Sequence, residues 1–433
     1  MTEKKIKSGK ILRLRARVID MFSGIPLLGW LIGVLIAVAL EQTIGHTVAG
    51  ILGLPKIPVL FGFMLILKKP FFMPGAICYV LLIYLIPVSV VARICGSTAN
   101  RVAARLFKLP ISIPVLIHLI LGYVALHTWA DINAYRGIML KLTLIAIMFT
   151  LSLNIINGYM GEFSCSHPGF IALGAYSASI FTLVCFVNDK VFGKALLPFE
   201  SGYFLFPIGL LIGGIVAAVG ALVIAIPSFK TRGDYLAIIS LAFMFIVKSM
   251  IENLEIIGGP RGLGNQPDYA SLPVVFVWTV VCIWVINNFV RSTLGKALNA
   301  VRDDEAAANA MTVNTKRTKM VAFTFAAFWA GVAGGLFAHV IRYVNPSTFG
   351  LQKLAEILAM VYFGGLNSVY GSIVGAVSLS LLGEALRPLE IFKWIIIPLL
   401  LILVMIFRPT GLIAFKEFDV RDLIKPKERR QKN

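Results

Sequence analysis

The chain has 433 residues, of which 58% are apolar and only 14% are charged, and its formal net charge is +19. A water-soluble domain carries charge on roughly a quarter of its residues, so this composition excludes an ordinary soluble protein. In a soluble protein the basic excess would suggest a nucleic-acid partner, but here nearly all Lys and Arg residues lie between apolar runs. We interpret the stretches that carry these basic residues as cytoplasmic loops, in line with the positive-inside rule, and we expect no nucleic-acid binding.

The chain begins with a basic segment that carries seven Lys or Arg residues between Lys4 and Arg17. A long apolar run follows without a convincing small-residue cleavage site. This pattern is typical of a retained, cytoplasmic N-terminus and not of a removed signal peptide.

Apolar runs then follow one another along the chain and predict an all-α polytopic membrane protein. The runs have about 17 to 25 residues, which matches the hydrocarbon thickness of a bilayer. They are apolar on every face, whereas the strands of a membrane barrel alternate apolar and polar residues. We therefore predict about twelve transmembrane helices with broken or re-entrant segments. The predicted crossings lie near residues 25–41, 75–93, 110–128, 137–157, 168–187, 203–228, 237–256, 272–292, 320–341, 353–366, 371–385 and 389–407.

Two stretches depart from simple crossings. The stretch 48–67 is interrupted by Pro55, Lys56 and Pro58, so we interpret it as re-entrant or interfacial. The run 353–366 is short and ends at two glycines, which is also typical of a half-helix. If the twelve runs each cross once, the basic clusters share one side and both termini are cytoplasmic.

Residues 154–169, which we call the interrupted segment, separate two apolar runs by small, polar and ionisable residues. At membrane depth such a stretch has to face protein or a water-filled cavity, because its free backbone groups need partners. A broken helix beside a translocation path has this composition, and so does a short loop at the membrane surface. The candidate path residues are Asn154, Asn157, Gly158, Glu162, Ser164 and His167.

Residues 258–267, the outer loop, lie on the outer side if the crossings are counted as above. Glycine and proline are so dense here that a helix cannot continue. The loop can cap a pore, offer a rigid docking surface or simply connect two helices. Its candidate residues are Gly258, Gly259, Pro260 and Gly262.

On the cytoplasmic side, three acidic residues precede a run of alanines. Acidic side chains suit the positive end of a helix dipole, so the pattern predicts a short solvent-facing helix. Its smooth alanine face can enter a groove of a partner, although a solvated helix without a partner is the simpler interpretation. We expect Arg302, Lys316, Arg317 and Lys319 to anchor it to the membrane surface. This acidic-alanine segment comprises Arg302, Asp303, Asp304, Glu305, Ala306 and Ala307.

The sequence lacks the motifs by which a transporter would hold its own source of energy. Its three Gly-Lys pairs are not followed by Ser or Thr and lack the upstream glycine of a phosphate-binding loop. There is also no zinc-binding pair or nucleophile elbow, so we expect no catalytic residue, no metal site and no cofactor in this chain. Only Glu162 and His167 can form a deep polar pair for a proton relay.

These segments resemble the permease subunits of ABC importers of the branched-chain amino acid type, the LivM-like half of the LivH and LivM pair. The resemblance extends from about Met139 to Phe415. It rests on the interrupted segment with its continuation to Tyr176, the outer loop, the acidic-alanine segment with Thr318-Lys319, and two further stretches. Those two are residues 231–238, which begin with Thr231-Arg232-Gly233-Asp234-Tyr235, and residues 358–371 around Gly364-Gly365.

The resemblance implies a transport subunit without enzymatic activity in a bacterial plasma (inner) membrane, surrounded by lipid. Its partners would be a LivH-like permease subunit, two subunits that bind ATP, and an extracytoplasmic substrate-binding protein. The acidic-alanine segment would be the coupling helix that docks in the ATPase. The interrupted segment would line the path, and the outer loop would shape the outer side. Residues 1–109 would be an N-terminal membrane extension, 110–409 the permease core and 410–433 a basic cytoplasmic tail.

Three hypotheses about cargo and driving force follow. Apolar, small-residue walls without a deep fixed charge favour branched-chain, hydrophobic amino acids. A urea or short-amide permease of the same family is the alternative. A proton-coupled secondary carrier that uses Glu162 and His167 belongs to a different class.

Overall fold

The computed structural model describes residues 22, 24–58, 66–67, 69–188, 192–229, 235–408 and 410–427. This part of the chain is mostly helical, with one antiparallel pair of two-residue strands, β1 (Leu263–Gly264) and β2 (Tyr343–Val344). The helices are α1 (Leu27–Ile51), α2 (Pro70–Leu106), α3 (Ser112–Asp131), α4 (Ala134–Met160), α5 (His167–Phe186), α6 (Gly202–Ser228), α7 (Tyr235–Asn253), α8 (Leu272–Arg291), α9 (Thr293–Asp303), α10 (Glu305–Ala310), α11 (Thr315–Ile341), α12 (Leu351–Gly364), α13 (Val369–Ala385), α14 (Lys393–Phe407) and α15 (Val420–Ile424).

The prediction of an all-α polytopic membrane protein is confirmed. Within the described ranges nine helices, α1 to α8 and α11, are long and apolar enough to cross a bilayer. The other three predicted crossings coincide with α12, α13 and α14, which have 14, 17 and 15 residues. At 1.5 Å per residue, fourteen residues extend only about 21 Å, so α12 is a short helix, as its sequence indicated. Of the predicted re-entrant stretch 48–67, the first residues end α1, and 59–65 lie outside the described residues.

The chain forms two compact units. The first contains the described residues up to Gly137, Ala385–Leu389 and the described residues from Asp419 onward. The second contains Ile138–Glu384 and Glu390–Phe418.

A buried ion pair joins the helices of the first unit. Arg136, in the first turn of α4, donates from both terminal nitrogens to the carboxylate of Glu41 in α1, each at 2.9 Å. Tyr79 and Tyr84 of α2 donate their hydroxyls to the same carboxylate. A further hydrogen bond from Arg136 reaches the carbonyl of Pro58 at 3.0 Å. Because both charged side chains are almost fully buried, at 0% and 1% exposure, each depends on the other for neutralisation.

Glycines set the spacing of the central helices in the second unit. A Cβ atom at Gly174 of α5 would lie 2.2 Å from the carbonyl oxygen of Gly331 in α11. A Cβ atom at Gly334 would lie equally close, 2.2 Å, to the carbonyl oxygen of Ile171. Backbones that approach this closely make the small-residue contacts by which helices pack tightly within a membrane. The packing of α5 against α11 therefore rests on close contact between the two backbones.

Candidate functional site

One lysine connects the interrupted segment to the acidic-alanine segment. Lys319 lies near the start of α11, and its side chain is only 9% exposed. Its Nζ donates to Oε1 of Glu162 at 2.7 Å and to Oε2 of Glu305 at 2.9 Å. Glu162 follows the end of α4, whereas Glu305 begins α10. A single ammonium group therefore joins two segments that are separated by more than a hundred residues, and the prediction that Lys319 is a surface anchor is wrong.

Arg302 makes a second contact between the same two segments. Its side chain packs on Gly161, which has a left-handed conformation with φ 76°. A Cβ atom at Gly161 would lie 2.3 Å from Cγ of Arg302. The guanidinium also donates to the carbonyl of Gly158 at 3.5 Å and to the carboxylate of Asp303 at 2.7 Å. Only glycine both adopts this conformation without strain and leaves room for the arginine.

The acidic start of α10 is a helix cap. Oδ1 of Asp304 accepts a hydrogen bond from the backbone N–H of Ala307 at 2.9 Å, which satisfies one of the free donors of the first turn. Ala306 and Ala307 are exposed, and Ala308 is buried. The helix thus has one face packed on the protein and presents the two alanines outward.

Asn154 ties the last α-helical turn of α4 to the turn between α12 and α13. Its Nδ2 donates to the carbonyl of Ser368 at 3.1 Å and to the hydroxyl of Ser372 at 2.6 Å. Its Oδ1 accepts from the N–H of Asn367 at 3.2 Å. After Asn154 the helix widens into a π-helical turn that ends at Met160. Such turns recur at functional sites of helical proteins.

The outer loop is folded onto the chain that follows α11. Gly258, Gly259 and Gly262 all have positive φ, and a Cβ atom at Gly262 would lie 2.3 Å from the carbonyl oxygen of Val344. Pro260 lies in a short 3₁₀ turn between them. The loop then forms β1, which pairs with β2. It is therefore a tightly turned and docked element, not an open connector.

Comparison with known proteins identifies the family of this chain. The family model described as "Branched-chain amino acid transport system / permease component" matches residues 135–407, which is more than half of the chain. The chain belongs to this permease family. It is accordingly an ABC permease and a membrane protein of the inner membrane, as the sequence motifs indicated.

Several curated permeases are similar to this one. The chain is 31% identical over 307 residues to the high-affinity branched-chain amino acid transport system permease protein LivM of Escherichia coli (strain K12). This alignment covers 63% of this chain and 68% of the relative. The LivM protein of Salmonella typhimurium gives the same identity and coverage. The autoinducer 2 import system permease protein LsrC of Enterobacter sp. (strain 638) is 25% identical over 289 residues, 65% of this chain and 77% of the relative. No solved structure matches the chain.

The remaining polar residues of the interrupted segment are enclosed in this conformation of the permease. His167 is fully buried, and its Nε2 lies 3.1 Å from the hydroxyl of Ser152. The hydroxyl of Ser164, also buried, lies 2.8 Å from that of Ser166. Oδ1 of Asn157 accepts from the N–H of Ser164 at 3.4 Å. The proposed pairing of Glu162 with His167 is wrong, since Glu162 binds Lys319 instead.

The contacts of the permease agree with the predicted crossing pattern. The twelve predicted crossings place Glu162, Glu305 and Lys319 on one side, and these residues form one ion-pair cluster. The same crossings place the outer loop and residues 343–344 on the other side, where β1 and β2 pair. The contacts are therefore consistent with the predicted number of crossings between these positions. Which side is cytoplasmic stays a prediction. The Thr231-to-Asp234 part of the family resemblance lies outside the described residues.

Proposed function

We propose that this permease imports branched-chain and other apolar amino acids. In this proposal it forms half of a membrane dimer with a LivH-like subunit. An extracytoplasmic binding protein delivers the amino acid, and two ATP-binding subunits supply the energy. The LivM relatives support this cargo because they match with higher identity than the LsrC relative does.

The observation that carries the coupling part of this proposal is the ion-pair cluster of Lys319. A chain without a nucleotide site of its own needs a surface that receives force from a partner. The exposed alanines at 306 and 307 offer a small, smooth surface of this kind. Lys319 connects this surface to the interrupted segment through two short hydrogen bonds, and Arg302 adds a longer contact to the carbonyl of Gly158.

The proposed mechanism is conformational and involves no bond chemistry. Movement of α10 in the groove of an ATP-binding subunit pulls on Glu305, and Lys319 transmits the displacement to Glu162. Arg302 acts in parallel on Gly158 and Gly161 at the end of α4. Because Asn154 also holds the turn between α12 and α13, a shift of this segment reaches three helices together. We infer that this is how the path opens on alternate sides.

Uptake by cells tests the proposal. A strain without its own branched-chain amino acid import should take up labelled leucine when it expresses the full set of subunits. Excess isoleucine or valine should compete, whereas ribose and urea should not. Transport of ribose or urea without transport of leucine would contradict the assigned cargo.

The coupling role has its own variant in the same cells. Glu305→Lys places a second ammonium beside Lys319, so the start of α10 should be repelled from the start of α11 and lose its link through Lys319 to Glu162. We expect ATP hydrolysis by the assembled complex to continue while leucine uptake is lost. Full leucine uptake by this variant would contradict the coupling role. The matched control is Lys296→Glu, another charge reversal at an exposed position on the same side, which should leave uptake near the wild-type rate.

A further inference from the structure

The second unit contains a cavity of about 200 Å³ that lies among α4, α11, α12, α13 and α14. Its apolar lining includes Met139, Phe149, Met360 and Leu379. Met139 and Phe149 are ten residues apart on α4, so the cavity extends about 15 Å along that helix. It begins at the end of α4 that the crossing pattern assigns to the outer side.

Four charged residues line the same cavity, and all of them lie near the ends of helices on that predicted outer side. Lys353 and Glu356 are in the first turns of α12, Glu384 is near the end of α13, and Lys393 begins α14. Two charges are positive and two are negative. Apart from Thr143 and Ser380, the other described lining residues are apolar or glycine.

Lys353 has a less exposed side chain than Glu356, its ion-pair partner among these four charged residues. Its side chain is 15% exposed, and its Nζ lies 3.0 Å from Oε2 of Glu356. The same Nζ lies 5.5 Å from the ring centre of Phe149 and 5.2 Å from that of Phe337, which are cation–π distances. An ionisable group held at the edge of a membrane interior is costly and commonly marks the route of a solute.

The size and charge pattern fit one kind of solute. An apolar cavity of about 150 Å³ accepts benzene, with six heavy atoms, so one of this size can accept the nine heavy atoms of leucine. A zwitterion presents one charge of each sign, which matches a lysine and a glutamate that already face each other. A sugar would need many neutral hydrogen-bonding partners. Among the described lining residues only Thr143 and Ser380 have neutral hydroxyl side chains, and Thr143 already donates to the carbonyl of Met139.

We propose that this cavity is a binding site for a zwitterionic apolar amino acid on the outer side of the permease. Lys353 donates to the carboxylate of the amino acid, and the ammonium of the amino acid donates to Glu356. The apolar side chain points inward, toward Phe149 and Met360. Both protein charges exchange their mutual pairing for the two ends of the zwitterion, so no charge is left unpaired. This inference rests on the proposed function and adds a location to it.

Protection of a cysteine from labelling tests the site without requiring transport. Ser380→Cys is introduced into the complete complex after replacement of the five native cysteines, and a membrane-impermeant maleimide is added without the binding protein. Leucine should slow the labelling, and ribose and urea should not. The concentration of leucine that gives half protection should rise about tenfold or more in Lys353→Met, because a charge-assisted hydrogen bond is lost.

A matched ion pair provides the control. Lys248 and Glu252 in α7 also form a lysine–glutamate pair one turn apart, at 3.7 Å, outside this cavity. Lys248→Met should leave half protection unchanged. Glu356→Gln, at a more exposed position, is the second variant in case Lys353→Met assembles poorly, and it should weaken protection as well.

The outcomes separate this inference from the proposed function. Two outcomes would overturn the site and leave the function intact. One is leucine uptake without protection at position 380. The other is protection that is equal in Lys353→Met, Glu356→Gln and Lys248→Met. Protection by ribose or urea in place of leucine would overturn the substrate class. Loss of leucine uptake together with transport of another solute would overturn the function itself.

Discussion

Replacing Lys319 by methionine should disconnect the interrupted segment from the acidic-alanine segment. Methionine keeps much of the length and apolar volume of the lysine stem but cannot donate to Glu162 or Glu305. Both glutamates are partly exposed, at 28% and 52% of their side chains, so water can hydrate them when the ammonium is gone. We therefore expect the variant to insert and assemble while its two segments move independently.

The magnitude follows from the two ion pairs taken separately. The more enclosed pair with Glu162 is a charge-assisted hydrogen bond, worth about 1.5 to 3 kcal/mol. The pair with Glu305 is largely exposed, so solvent screening reduces it to about 0.2 to 1 kcal/mol. Together the loss is about 2 to 4 kcal/mol of contact between the segments. Since 1.4 kcal/mol corresponds to a factor of about ten, leucine uptake per ATP hydrolysed should fall at least tenfold.

A double-mutant cycle in reconstituted complexes measures this contact. Lys319→Met, Glu162→Gln and the double variant are compared by thermal unfolding and by leucine uptake per ATP. The two changes should be non-additive by about 1 to 3 kcal/mol. Lys296→Met, at an exposed position on α9, is the control and should match the wild type. Additivity within about 0.5 kcal/mol, or normal uptake per ATP in Lys319→Met, would refute the reasoning.

Two further variants test the fold around the site. Glu41→Gln should lower the stability of the first unit by about 3 to 5 kcal/mol, because it leaves Arg136 buried without its counter-charge. Glu41→Leu combined with Arg136→Met should lose less, because only the neutral hydroxyls of Tyr79 and Tyr84 then lack that acceptor. Thermal unfolding in detergent measures both, and a single variant as stable as the double would contradict the ion pair. Gly262→Ala should increase protease cleavage of the outer loop, since its Cβ would meet a backbone oxygen at 2.3 Å at a positive φ. Gly264→Ala, with its nearest neighbour at 3.8 Å, should not, and equal cleavage of the two would contradict this account.

The helices could be predicted from the sequence because hydrocarbon thickness imposes a minimum length on apolar runs. The ion pair in the first unit could not. Glu41 is a lone acid within an apolar run, and its partner Arg136 follows 95 residues later. Nothing in the local pattern relates two such positions, since only the packing of α1 and α2 beside the start of α4 brings them together.

The candidate site was predicted as separate segments and not as one cluster. Composition alone identified the interrupted and acidic-alanine segments, because small and charged residues stand out among apolar runs. That both meet at Lys319 depends on the packing of α4, α10 and α11. A lysine at the start of an apolar helix usually extends to the membrane surface, so the sequence favoured an anchor. The ion pairs of Lys319 with Glu162 and Glu305 reveal its different role.

The most direct test of the coupling proposal is a crosslink from the alanine face of α10 to an ATP-binding subunit. Ala307→Cys and, as control, Gly264→Cys in the outer loop are each placed in a complex without the five native cysteines. A short cysteine–lysine crosslinker should join position 307 to an ATP-binding subunit, with a yield that changes when ATP is bound, and should not join position 264. An actively transporting complex in which position 307 forms no such crosslink, or in which position 264 forms it instead, would contradict the account.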